Sequence, residues 1–469
     1  MWEQVGSALA KSEETILTKH QTFGRQWLPQ HAMSSTRDSI NKLPNELLRD
    51  IFLQCRTTEG VSTNASFMLV CKRWKHLVNS TPHLWNSFEA DLGNTIPSAK
   101  RCRRLVEVCI SASGRLPLDI SVELAGLSFL DDHAHFSKDP QEDNAAQDLF
   151  KQLARDLVAS LATKALEVRT GDSDKSGEDL SIYVSHMERW RSFQITFHCG
   201  IMKQEMEQIL SPLRYPTPIL KMLDLQFAFT DWLDIGADLS LPEEVFPDLR
   251  NLTTLTTNAA INLSEFHQSG HSLHTISFDV TPESFAYLPS FPNLQVLDLS
   301  LDRTPDGGLR EPPSDPITLP QLTTLTFTTY LEDELLPLIS APNLRRLRFG
   351  GIHVAREPFP KPLSILNSIH LLEWDFPHSS SEEQGDLIRE SLPCLFSQCH
   401  QLVEFETWAA RSTSASSTDP SPPDPMKLMV REALETHPLV HLQKIVFRSP
   451  GSSRFEDSKI SEVVFLPFK

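Results

Sequence analysis

Two apolar stripes lie close together near the start of the chain. The first repeats at one-, three- and four-residue steps, as in an amphipathic helix, and contains Leu47, Leu48, Ile51, Phe52 and Cys55. Pro44 comes just before this stripe and suits the first turn of a helix. The N–H groups of that turn have no partner within the helix, so proline, which lacks an N–H, costs no hydrogen bond there. The second stripe predicts another helix, ended by Thr81-Pro82, and contains Phe67, Val70, Cys71, Trp74, Leu77 and Val78. Because these apolar residues wrap beyond a single face, we expect a helical module over residues 41–92 whose surface is partly buried by another protein.

Beyond residue 98 the apolar pattern alternates between strand and helix. Leu118, Ile120 and Val122 alternate with polar residues and predict a strand. The stretch from Leu149 to Leu161 has helical spacing, and Arg189 to Phe197 is again strand-like. This alternation is typical of stacked β–α units and of the α/β fold class. Residues 1–40, in contrast, are polar and mixed, and we expect a flexible or peripheral arm there.

A short motif, Pro-x-Leu-x-x-Leu-x-apolar, then returns along the chain. Its clear copies begin at Pro218, Pro292, Pro320 and Pro342, and weaker copies begin at Leu249, Leu273, Ile369, Leu402 and Leu442. Most copies are about 20 to 29 residues apart, the period of leucine-rich repeats. Since one such unit cannot bury its apolar edge alone, residues 98–469 are predicted to form an irregular leucine-rich-repeat solenoid with parallel strands on its concave face. Segments 302–316 and 412–425 interrupt the pattern and are predicted loops.

The bulk composition narrows the classes of partner. A formal net charge of -18 argues against nucleic acid, because binding phosphates needs a basic surface. The seven cysteines are thinly spread with no C-x-x-C pair, which indicates a reducing compartment. No apolar run approaches the roughly 18 residues of a membrane span, and no signal peptide is visible. We therefore expect a cytoplasmic or nuclear protein with neither a nucleic-acid nor a membrane partner.

Three short segments contain residue types that are found in metal-binding or catalytic sites. Asp131-Asp132-His133-Ala134-His135 carries zinc-ligand residue types, but its polar setting predicts a surface loop. His198-Cys199 and Cys399-His400 each join a thiol to an imidazole, yet adjacency in sequence does not bring two side chains within hydrogen-bond reach. Cys399 also precedes the repeat residue Leu402, as a buried structural cysteine would. We expect no enzyme, no catalytic residue, no metal and no cofactor.

The helical module resembles an F-box. The resemblance lies in the opening Leu43-Pro44-x-Glu46-Leu47-Leu48-x-x-Ile51-Phe52, in Val70-Cys71-x-x-Trp74 and in Leu84-Trp85. With Leu116-Pro117-Leu118-Asp119 and Arg189-Trp190-Arg191-Ser192, the chain beyond residue 40 looks like the fungal F-box proteins with irregular leucine-rich repeats. It departs from them in a predicted long polar loop, Arg56 to Ala65, and in repeats without a regular Asn.

This resemblance implies a substrate-recognition subunit of a cullin–RING (SCF-type) ubiquitin ligase. The positions expected to form or support contact with the ligase adaptor are Leu43, Pro44, Leu47, Leu48, Ile51, Phe52, Val70 and Trp74. Outward strand residues of the repeats would bind an unknown target protein, and the candidates are Thr324, Thr326, Arg346, Arg348, Glu404 and Glu406. Arg345, Arg346 and Arg348 together suggest an anion pocket for a phosphorylated segment. The alternative is a protein-binding scaffold outside any ligase, with the F-box-like segment as its N-terminal cap.

Overall fold

The structure is a computed structural model. It describes residues 42–59, 62–92, 96–124, 140–167, 181–198, 203–228, 245–300, 315–328, 335–350, 363–374, 382–408, 425–449 and 459–465. The predicted arm 1–40, the segment Asp131 to His135, and nearly all of the predicted loops 302–316 and 412–425 lie outside these ranges. The described part mixes helix and strand, with a helical N-terminal region followed by parallel strands, which is an α/β fold. The chain divides into two compact units, one of Met1–Trp232 with Pro242–Leu249 and one of Leu233–Leu241 with Arg250–Lys469.

The first unit contains the helical module and four parallel strands. Its helices are α1 (Asn45–Glu59), α2 (Ser62–Val70), α3 (Lys72–Asn79), α4 (Ile96–Ala112), α5 (Pro140–Ala162) and α6 (Lys203–Leu210). Its strands are β1 (Ser87–Asp91), β2 (Leu118–Leu124), β3 (Thr163–Glu167), β4 (Ser181–Ser185), β5 (Trp190–His198) and β6 (Met222–Ala228). Strands β1, β2, β5 and β6 are parallel neighbours in that order, and β3 pairs antiparallel with β4.

The second unit holds the remaining strands. Its elements are β7 (Thr254–Ala260), β8 (Thr275–Asp279), α7 (Pro282–Tyr287), β9 (Val296–Ser300), β10 (Ile317–Thr318), β11 (Thr324–Phe327), β12 (Ile339–Ser340), β13 (Arg346–Phe349), β14 (Leu371–Trp374), α8 (Glu382–Gln398), β15 (Glu404–Trp408), α9 (Pro425–Thr436), β16 (Lys444–Ser449) and β17 (Lys459–Phe465). Strands β7, β8, β9, β11, β13, β14, β15 and β16 are parallel neighbours in that order, and β17 is antiparallel to β16. Strands β10 and β12 form a separate parallel pair.

The strand residues of the repeated motif align in register across the second unit. Leu297 lies opposite Ile276 on one side and Leu325 on the other, and all three are fully buried. The row includes Leu255, Ile276, Leu297, Leu325, Leu347, Leu372, Phe405 and Ile445. Because side chains of a strand alternate between faces, the residues on either side of each row member belong to the opposite face. The motif therefore places these flanking residues, most of them polar, in two parallel rows on one face of the sheet.

Asparagines tie successive copies of the motif together at two places. The Nδ2 of Asn293 donates to the carbonyl oxygen of His271 at 2.7 Å, and the Nδ2 of Asn343 donates to that of Pro320 at 2.7 Å. Each bond joins the turn before one strand to the turn before the preceding strand. An Asn at this position thus serves as a link between repeats where it is present.

The helical module differs from its prediction in two ways. The predicted loop over Arg56 to Ala65 is wrong, because α1 continues to Glu59 and α2 begins at Ser62. The predicted second helix is two helices, separated by Cys71, whose extended backbone (φ -162°, ψ 168°) interrupts the helical turn. The break changes the direction of the chain between Val70 and Lys72, so a stripe counted through it does not describe one face.

Candidate functional site

An aromatic cluster holds the three helices of the module together. Phe52 stacks on Phe67 with ring centroids 4.2 Å apart and meets Trp74 edge-on at 4.8 Å. Phe52 and Leu48 are buried, so the inward side of α1 is occupied by the module's own core. Such aromatic contacts add about 0.5–1.5 kcal/mol each beyond the burial of area.

Four apolar side chains of the same helices remain exposed. Leu47 and Ile51, one helical turn apart on α1, are 50% and 44% exposed, and Leu69 and Val70, which end α2, are 53% and 56% exposed. We call Leu47, Ile51, Leu69 and Val70 the exposed apolar set. One exposed leucine is ordinary on a protein surface, but four in two short, adjoining helices are typical of a contact surface.

Polar contacts fasten the module at both ends. At its start, Arg73 of α3 donates to the carbonyl oxygen of Leu43 at 2.5 Å and to Oδ1 of Asn45 at 2.8 Å, which fixes the segment that opens α1. At its end, Arg56 donates to the carbonyl oxygens of His83 and Ser87, the latter being the first residue of β1. Burial lowers the pKa of the Arg56 guanidinium, while Cys109 and Asp119 raise it. The helices are therefore held on the first strand of the sheet.

The polar face of the second unit carries the residues predicted to bind a target. Thr324 and Thr326 lie opposite Arg346 and Arg348, respectively, on the next strand. Strand β14 separates these arginines from Glu404 and Glu406 of β15. The structure thus brings the six candidates to one face, in two rows that run across the strands.

Glu373 of β14 lies between Arg346 and Arg348. It is not among the six residues predicted to bind a target. Its side chain is 1% exposed and forms an ion pair with Arg346, and its Oε2 lies 3.8 Å from Nε of Arg348. The sequence signal for Glu373 was the weak copy of the motif that begins at Ile369. Glu373 occupies the same place in that copy as Arg348 occupies in the copy that begins at Pro342. A buried carboxylate between two guanidinium groups is the centre of this face.

Several other residues of this face are buried or already paired instead of being exposed to solvent. Thr326 and Glu406 are buried, although their places in the strand pattern predict outward residues. Glu404 forms an ion pair with Lys444 of β16. Burial raises the pKa of Asp298 to about 6, and the charge of Arg348 opposes that rise.

Arg345 immediately precedes β13, and because side chains alternate along extended chain, it does not belong to the row of Arg346 and Arg348. The three-arginine pocket is therefore reduced to two arginines.

The described residues hold little that suggests bond chemistry. Cys399 is buried, and burial raises the pKa of its thiol to about 12, as expected of a structural cysteine. Cys199 and the segment Asp131 to His135 lie outside the described ranges. Within those ranges, no group of three or more His, Cys, Asp or Glu side chains is placed to hold a metal ion. None of the helices placed by the structure combines the length and apolar character needed to cross a membrane.

Residues 40–89 match the F-box-like family. The match covers α1, α2, α3 and the start of β1, and the leucine-rich repeats and the fungal origin stay predictions. F-box domains are typically found in non-enzymatic adaptor proteins. A search of curated proteins finds no match to the chain.

The eight residues predicted for adaptor contact fall into three environments in the F-box-like domain. Pro44, Leu47, Ile51 and Val70 are exposed, Leu43 and Trp74 are half-buried, and Leu48 and Phe52 are buried. Leu69 is exposed and was not predicted, although its place off the inward stripe of its helix was the available signal. The exposed residues and the accessible parts of the half-buried ones are open to a partner, whereas Leu48 and Phe52 are enclosed in the core of the domain.

Proposed function

We propose that this chain is the substrate-recognition subunit of a cullin–RING ubiquitin ligase, acting in the cytoplasm or nucleus. The F-box-like domain docks on the ligase adaptor, and the parallel strands, as an irregular leucine-rich-repeat solenoid, bind a target protein on their polar face. The observation that carries this proposal is the exposed apolar set inside the segment that matches the F-box-like family. No residue of this chain then acts on a covalent bond. Its contribution is to raise the effective concentration of the target beside the ubiquitin-charged enzyme.

The exposed apolar set is large enough to matter for binding. Full burial of a Val, Leu or Ile side chain is worth about 1.5–3 kcal/mol, and each member of the set is already about half-buried. Each therefore gains about 1 kcal/mol on docking. Four such gains, with the surrounding contacts, are a useful part of the free energy of a specific complex.

Co-purification with the ligase adaptor tests this docking. The wild-type chain is expected to form a stoichiometric complex that the double variant Leu47→Ala, Ile51→Ala loses, with the thermal unfolding of both chains alike. Leu149→Ala is the matched control, because Leu149 is similarly exposed but lies on α5, outside the F-box-like domain. A complex that survives the double variant, or no complex with the wild type, would contradict the proposal.

A second candidate function has its own observation. Arg56 and Asn64 fasten the helices to the residues around β1, with Asn64 Nδ2 donating to the carbonyl oxygen of Leu84 at 2.6 Å. These contacts are also what a terminal cap of a repeat scaffold would make. If the module is only a cap, adaptor binding will be absent for the wild type as well as for the double variant.

A further inference from the structure

We propose that the target segment presents an acidic side chain, an aspartate or a glutamate, to the guanidinium of Arg346. This inference rests on the proposed function and names the chemical class that the polar face recognises. It assigns Arg346 as the residue that determines specificity.

The charged groups of this face are sorted by exposure. The carboxylates of Glu373 and Glu406 are buried, whereas the side chains of Arg346 and Arg348 are 47% and 28% exposed. Glu404, which is more accessible, is already paired with Lys444. A partner approaching the centre of the face therefore meets guanidinium groups first, although carboxylates lie beneath them. Charge complementarity at the exposed guanidinium of Arg346, rather than the net charge of the face, favours an anionic group on the target.

Glu373 prepares Arg346 for this contact. The carboxylate, fixed in the sheet, holds the guanidinium through an ion pair to one Nη atom. A guanidinium carries five N–H donors in a planar fork, so one such contact leaves donors for a second carboxylate. Because the side chain is already oriented, less conformational entropy is lost when the target binds. This is the arrangement in which a bidentate arginine–carboxylate pair adds both affinity and geometric specificity.

The surroundings favour a carboxylate over a phosphoryl group. The two arginines share the face with the carboxylates of Asp298, Glu373 and Glu406, so they are not an excess of positive charge. A phosphoryl group carries about -1.5 to -2 charges at neutral pH and would meet more repulsion there than a single carboxylate. The register neighbours of Arg346 are Thr324 and Leu371, a hydroxyl and an apolar side chain, so neither adds a further positive charge that a phosphoryl group would need.

A random-peptide display library, selected on the full chain in complex with its adaptor, tests the inference. The wild type is expected to enrich sequences with Asp or Glu at one fixed position. An enriched peptide is then synthesised with Glu, Gln or phosphoserine at that position, and its affinity is measured by fluorescence anisotropy. Replacing Glu by Gln is expected to weaken binding to the wild type about tenfold, the value of one charge-assisted hydrogen-bonded pair.

Variants of the chain assign this loss to Arg346. Arg346→Gln is expected to lose about tenfold in affinity for the Glu peptide and to bind the Gln peptide like the wild type. Arg346→Lys keeps the charge without the planar fork and is expected to fall between them. Arg431→Gln, on the exposed face of α9, is the control and leaves every affinity unchanged. Thermal unfolding of each variant shows whether the fold is intact.

Several outcomes would overturn the inference. They are a selection with no acidic position or no enriched peptide, a phosphoserine peptide that binds more tightly than the Glu peptide, and an Arg346→Gln variant that loses both peptides equally. The adaptor complex is read out separately, through the exposed apolar set. Failure of the peptide experiment with an intact adaptor complex rejects the acidic target class and leaves the proposed docking standing.

Discussion

The guanidinium of Arg56 in the last turns of α1 donates a hydrogen bond to the carbonyl oxygen of Ser87, which begins β1. It also donates to the carbonyl oxygen of His83, just before that strand. The carbonyl oxygen of Asn86, the residue just before Ser87, accepts a hydrogen bond from the N–H of Asp119 in β2, at 2.9 Å. A single arginine thus connects the helix that carries Leu47 and Ile51 to the start of the first strand, beside the residue whose carbonyl bonds to the second strand.

Removing this guanidinium is expected to loosen the F-box-like domain from the sheet. Arg56→Met keeps most of the aliphatic stem but leaves two carbonyl groups without their donor, and we expect the free energy of unfolding to fall by about 2–4 kcal/mol. Urea denaturation followed by circular dichroism measures the change. Arg104→Met, at an exposed position of α4, should stay within about 0.5 kcal/mol of the wild type. Equal loss in both variants would mean that Arg56 has no special role.

Glu373 is expected to be the most important charge for the stability of the polar face. Glu373→Gln takes a negative charge from between Arg346 and Arg348, and a lost hydrogen bond to a charged group costs about 1.5–3 kcal/mol. Glu404→Gln is the matched control, because its carboxylate, paired with Lys444, is 26% exposed against 1% for Glu373, and exposed ion pairs contribute about 0–1 kcal/mol. Urea midpoints compare the two. A Glu404→Gln variant as unstable as Glu373→Gln would contradict this difference.

The strands were predictable because their pattern is local. Alternating apolar residues such as Leu297 and Leu299 select a strand with one buried face, and the repeated motif gives the spacing between strands. The register follows as well, since Leu297, Leu325 and Leu347 occupy the same place in successive copies and lie opposite one another. Each strand contacts mainly the strands next to it. The sequence of one copy of the motif is therefore nearly sufficient to predict the strand that it forms.

What the sequence did not reveal depends on contacts between distant parts of the chain. The helix break at Cys71 has no proline or glycine to mark it, and the apolar stripe continues across it without a change of spacing. Thr326 and Glu406 are polar residues at outward positions, and their burial depends on the structure around the strands rather than on their own segment. The ion pair of Glu373 with Arg346 needs two copies of the motif to be adjacent. Propensity and period describe one segment at a time and cannot specify such pairs.

Truncation of Leu69 is expected to change adaptor binding, whereas truncation of Leu48 is expected to change stability. Leu69 is exposed at the end of α2, so Leu69→Ala should weaken adaptor binding by about 1 kcal/mol, roughly fivefold in Kd, with unchanged thermal unfolding. Leu48 is fully buried on the inward side of α1, so Leu48→Ala should cost about 2–5 kcal/mol of stability. Titration calorimetry with the adaptor and thermal melts separate the two effects. An adaptor affinity unaffected by Leu69→Ala would remove Leu69 from the docking surface.

Asp298 is expected to make stability fall as the pH rises. Burial raises its pKa in the folded state to about 6, above the ordinary value of 3.8 that holds in the unfolded chain. Below about pH 4 the carboxyl is protonated in both states and adds no pH dependence, whereas above about pH 6 the folded state must hold a charge that burial disfavours.

The difference between wild type and Asp298→Asn isolates this effect from other groups that titrate. The variant should be more stable than the wild type by about 1–3 kcal/mol at pH 7.5, and the advantage should shrink toward pH 4. Urea midpoints across that pH range measure it, with Asp148→Asn, at an exposed position of α5, as the control. A constant difference between Asp298→Asn and wild type would mean that the Asp298 carboxyl does not titrate in this window, and that Arg348 offsets the cost of burying its charge.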